Sequence, residues 1–96
     1  AVGLAQAEEV GLTKQVVVGQ NFHTTVGKDQ TLNVSGNSDM HVSKAIVIEA
    51  GDSFEITCGQ SSFKLEKDGS VTITGKQFKF AASGPVQING ETVDIN

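Results

Sequence analysis

The chain contains no arginine, and its seven lysines stand singly in a sequence of net charge -4. Nucleic acid demands a basic patch or stripe, so that class of partner is excluded. There is one cysteine, Cys58, and no CxxC or Cys/His cluster. An internal disulfide is therefore ruled out, and the usual zinc spacings are missing. Tryptophan and tyrosine are absent and leucine occurs four times, whereas valine, isoleucine and threonine abound. That balance disfavours amphipathic helices and favours strands. No apolar run is long enough to span a bilayer, and the opening "AVGLAQAEEVGL" has no basic start of the kind a signal peptide carries. The chain starts in mid-pattern at Val2-Gly3, which reads as a fragment of a longer protein. At 96 residues it makes one small domain with a modest core of its own, so oligomerisation is expected early.

What is present is a repeat. Gly3, Gly11, Gly19 and Gly27 stand eight apart, and the step continues through Ser35 and Ser43 to Gly51 and Gly59. Valines at 2, 10, 18, 26, 34 and 42 keep the same step. From residue 16 onward the pattern is of apolar or threonine pairs two residues apart. They are Val16/Val18, Thr24/Val26, Leu32/Val34, Met40/Val42, Ile46/Ile48, Phe54/Ile56, Phe63/Leu65, Val71/Ile73, Phe78/Phe80, Val86/Ile88 and Val93/Ile95. The residue inside each pair is usually polar, as in "FEI", "FKL", "VTI" and "VQI". Alternation with period two marks a strand with one face on a core and the other in water. Between pairs lie "VSGNSD", "EAGDS", "KDGS", "SGP" and "NGE", residues suited to tight polar corners.

Short strands, short corners and no helix predict an all-β fold, a triangular β-helix or β-prism of octad repeats whose inward pairs stack into one core. Plain antiparallel hairpins are the less favoured alternative, because they tolerate far more variation in strand length than this chain shows. After Val42 the step drops to six and then runs seven to nine, which predicts longer or shorter corners or a shift of register. Periodicity leaves open whether one chain winds alone or three chains each supply a side.

The octads resemble those of the C-terminal needle of VgrG proteins, the trimeric spikes of the type VI secretion system, and of the cell-puncturing needles of contractile phages. Two stretches carry most of the resemblance: "IEAGDSFEITCGQSSFKLEKDGSVTITGKQFKF" and the ending "AASGPVQINGETVDIN". The resemblance implies an intertwined homotrimeric β-helix, with residues 1–96 as a single needle domain and 86–96 as its tip. The inward residues of such a trimer would be Val18, Val26, Leu32, Val34, Val42, Ile48, Phe54, Ile56, Leu65, Ile73, Phe80 and Ile88. It also implies a PAAR-repeat protein docked on the terminal residues Val93, Asp94, Ile95 and Asn96.

The remaining candidates weaken on inspection. His23 lies between Phe22 and Thr24, and His41 between Met40 and Val42, so both belong to the solvent face. An inward polar layer at Thr24 or Gln30 would suit a buried water or ion. Cys58 shares parity with Phe54 and Ile56 and is expected to be a buried thiol, with only Lys64 near enough in sequence to activate it. "GKDQT" at 27–31 lacks phosphate-loop spacing, and the isolated aspartates Asp29, Asp39, Asp52, Asp68 and Asp94 read as corner residues without a calcium-binding nonapeptide. Asn33-Val34-Ser35 matches a glycosylation sequon but lies inside an expected strand.

No catalytic set and no cofactor site is expected. The reading is a non-enzymatic spike that punctures a target envelope, carries effector proteins and touches the target membrane transiently. The resemblance places it in the bacterial cytoplasm before firing and outside the cell, in the target envelope, afterwards. The alternative is a β-solenoid module binding a polysaccharide or envelope component. It is disfavoured because the phenylalanines have inward parity.

Overall fold

The computed structural model describes residues 11–96. Val2, Gly3 and Val10 of the sequence repeat lie outside the described residues. The chain divides into two units, Ala1–Met40 and His41–Asn96, each taken by itself below. The described residues contain no helix, and the only regular elements are three strands, β1 (Ser53–Cys58), β2 (Ser61–Glu66) and β3 (Val71–Thr74).

In the first unit the described residues form no regular element and bend at 11–12, 19–20, 27–28 and 35–36. In the second, further bends fall at 43–44 and 51–52. Each opens on the glycine or serine that recurs eight residues apart in the sequence: Gly11, Gly19, Gly27, Ser35, Ser43 and Gly51. Glycine at these bends does not serve a left-handed backbone, since among the described residues positive φ occurs only at Gly59 and Gly69. Among the described residues, 15–51 and 75–96 make no backbone hydrogen bond. Their peptide groups are unpaired within the chain, as those of a strand that lacks its neighbour would be.

Residues 52–74 behave differently. β1, β2 and β3 form an antiparallel meander in sequence order. The hairpin reading that uniform strand length disfavours therefore holds for this stretch, and the irregular steps after Val42 include true chain reversals as well as corners. The first reversal needs two residues, Gly59 and Gln60. Only Gly59 has positive φ (57°), which is the pattern of a type II′ turn, whose twist matches that of the strands it joins. The second uses Lys67, Asp68 and Gly69. The Gly69 N–H donates to the Glu66 carbonyl at 3.0 Å, and the Glu66 N–H to the Ser70 carbonyl at 3.0 Å. Gly69, at φ 96°, occupies the glycine position of a bulged hairpin loop, where a side chain would be strained. Lys67 N–H donating to the Asp52 carbonyl at 3.0 Å extends the β1/β2 ladder by one more pair.

Asp68 closes the loop. Its Oδ1 accepts the Ser70 backbone N–H at 3.0 Å, the two-residue reach that suits aspartate to turns. That bond, with help from the Ser70 hydroxyl, holds the carboxyl below its ordinary pKa. A lowered folded pKa means that the stabilisation is present above the unfolded value and lost as pH falls through the folded one. The Ser70 amide proton should therefore shift in NMR spectra as the solution is acidified through the lowered pKa of Asp68, and Asp68→Asn should abolish that titration. An unchanged titration in the variant would assign it to another carboxylate.

Candidate functional site: an apolar sheet face

The register of the meander sorts its side chains by chemistry. Phe54 stands opposite Leu65 and Leu65 opposite Val71, while Ile56 stands opposite Phe63 and Phe63 opposite Ile73. Two apolar columns thus cross all three strands on one face. The other face carries Glu55, Lys64 and Thr72 in one row, with Thr57, Ser62 and Thr74 in the next. Lys64 Nζ lies 3.8 Å from Glu66 Oε1 on this polar side, an exposed pair of the kind that contributes little to stability.

The apolar face is uncovered. Leu65 is 39% exposed and Val71 59%, with Phe63, Ile56 and Ile73 between, and no described side chain in the molecule is fully buried. Complete burial of each such side chain is worth about 1.5–3 kcal/mol, so the chain holds most of its hydrophobic free energy in reserve. The face widens into two shallow grooves, one flanked by Ile48, Phe54 and Leu65, the other by Ile56, Ile73 and Phe78. Phe78 and Phe80 stack ring on ring with centroids 6.5 Å apart and planes 6° from parallel, which puts that pair on one side of its segment as well. Gly75 leaves room for Phe78, whose ring would lie 3.4 Å from an added Cβ.

Of the twelve residues expected to point inward, the meander brings together Phe54, Ile56, Leu65 and Ile73. Val18, Val26, Leu32, Val34, Val42, Ile48, Phe80 and Ile88 lie outside the three strands and remain 45–80% exposed. Val93 and Ile95, the apolar members of the expected docking end, are 52% and 88% exposed, outside the three strands with Asp94 and Asn96. Cys58 ends β1 opposite Ser61 and is an exposed free thiol. The expectation of burial fails in the single chain because nothing covers the face to which its parity assigns it. Phe63, between Ile56 and Ile73, and Val71, opposite Leu65, complete the two columns; the sequence signal for them was their membership of Phe63/Leu65 and Val71/Ile73.

Among the described residues, no three His, Cys, Asp or Glu side chains gather as a metal site. His23 and His41 are exposed. No helix among the described residues is long and apolar enough to cross a membrane.

The geometry defines an all-β chain whose prominent surface feature is an unpartnered apolar face on short amphipathic segments. No family model matches it. It is 34% identical over 77 residues to the type VI secretion system spike protein VgrG1a of Pseudomonas aeruginosa, a match that covers 79% of this chain and 12% of that protein. The chain is a VgrG-related C-terminal region. It spans about an eighth of the length of the relative it matches, 12%.

The two faces predict opposite responses to substitution. Ile73→Asp places an unpaired carboxylate in the apolar column and should prevent any association through it, read as a loss of mass by light scattering. Single changes at Glu55, Lys64, Thr72 or Gln87 should shift stability by no more than about 0.5 kcal/mol in thermal melts. Larger losses at two of these four positions would show the faces to be interchanged.

Proposed function

We propose that this chain is the needle segment of a type VI secretion spike and that it acts mechanically, as a non-enzymatic assembly of three copies. The observation that carries the reading is the uncovered apolar face on a chain related to VgrG1a. The regular recurrence of bends eight residues apart adds to it, since equal sides and equal corners are what a triangular prism requires. In the proposed assembly three copies close a triangular β-prism. Their apolar pairs meet at the axis, and the open peptide groups of 15–51 and 75–96 find ladder partners in neighbouring copies.

Closure of this kind explains why such a chain suits puncture. A closed β assembly leaves strand edges only at its two ends, so sideways pairing with other proteins is suppressed and there are few places for unfolding to start. The outer surface, with single lysines among a net charge of -4, keeps the assembly soluble and gives it no strong hold on lipid during a transient membrane passage. The end formed by Val93, Asp94, Ile95 and Asn96 would be the platform for a PAAR-repeat tip protein. Its exposed backbone would act by β-augmentation and Val93 and Ile95 would give the apolar contact. Effector proteins would travel with the spike from the bacterial cytoplasm to the target envelope.

Light scattering on the purified chain should give a mass three times its 10.0 kDa, and a compact monomer would overturn the reading. Deletion of residues 93–96 should leave that mass ratio intact while abolishing capture of a PAAR-repeat protein. Full capture by the shortened chain would move the docking site elsewhere.

A further inference from the structure

The regular part of the chain has a weakness that the meander lacks. Val18, Val26, Val34 and Val42 are the same residue at a constant step of eight, each followed by glycine or serine at the bend. A copy displaced by eight residues along such a repeat presents the same parity and a small residue at every corner. Packing of these octads alone therefore specifies register weakly. Residues 53–74 cannot be displaced in this way. Their strands are six, six and four residues long, their side chains run from Phe54 to Val71, and their two reversals differ in length. This stretch also makes its ladder hydrogen bonds within one chain.

We propose that the 53–74 meander is the register lock of the assembly: its apolar face packs against the same face of two further copies, each copy supplying one whole wall. This rests on the three-copy reading above. A second copy fits the face better than a different partner. The columns of Phe54, Ile56, Phe63, Leu65, Val71 and Ile73 contain no charge, and Glu55, Lys64 and Glu66 all lie on the opposite side. Glu49, Asp52, Glu66 and Lys67 line the groove beside Phe54 and Leu65, whereas the columns themselves offer a charged ligand nothing to pair with. The series of apolar pairs also continues into Ile46/Ile48 before the columns and Phe78/Phe80 after them, pairs read as inward in the same three-copy core. Hairpins close locally within microseconds and need no second chain, whereas the octads must find other copies to satisfy their backbones. A bare three-stranded sheet is marginal alone, so the meander persists where three of its faces meet and the octads are then aligned on either side.

The test uses the full 96-residue chain with Cys58→Ser and a nitroxide label on Thr25→Cys, a polar-parity position within the octads. Pulsed electron resonance should read one distance between copies. Adding Gly59→Val and Gly69→Val, which strain both reversals, should split that distance into several while Gly19→Ala leaves it single. A single distance retained in the double glycine variant overturns the register lock and leaves the three-copy reading standing. A chain that is monomeric before any substitution overturns both. If the double variant does not assemble, pulse-labelled hydrogen exchange during refolding of the unaltered chain decides. Amides of β1, β2 and β3 should gain protection before those of 15–51, and the reverse order overturns the proposal.

Discussion

A short strand with alternating apolar side chains has two debts, a ladder partner for its peptide groups and a cover for its apolar face. Among residues 15–96 the first is met internally only across 52–74, and the second is met in full at no described residue. Every other feature follows from that shortfall. Side chains that would be core in a self-sufficient domain stand exposed, and a cysteine with inward parity stands free in solvent.

The meander shows what local sequence achieves on its own. Gly59 and Gly69 supply the two positive-φ positions, Asp68 ties the longer loop to Ser70, and the pairing then lines up aromatic and branched side chains in columns. Cross-strand neighbours such as Ile56 and Phe63 are the favourable kind for an antiparallel pair, worth a few tenths to about 1 kcal/mol each. That is enough to define a register and too little to hold a sheet whose apolar face is wet.

Kinship with VgrG1a puts this shortfall in a setting where it makes sense. In the proposed spike segment the same face that destabilises a lone chain would be the adhesive of the assembly. Division of labour within the chain is then physical. In the proposed assembly uniform octads would give length and repetition, and the irregular hydrogen-bonded stretch would give them a place to start.

The alternation of apolar and polar residues and the small residues at the bends were legible without coordinates, because both are properties of single residues and their nearest neighbours. Val16/Val18 announces an extended segment, and Gly19 announces its bend, whatever the chain later meets. What the sequence left undecided was where each strand finds its partner. "CGQS" and "EKDGS" use the same residue types as a prism corner, so composition does not separate a right turn from a reversal. Only the tertiary structure decided that Phe54 faces Leu65 and that these two turns send the chain back on itself. The reason lies in the hydrogen-bond ladder: it is a relation between two strands and not a property of either, and its direction depends on the backbone φ of one or two glycines, which the letter alone does not reveal.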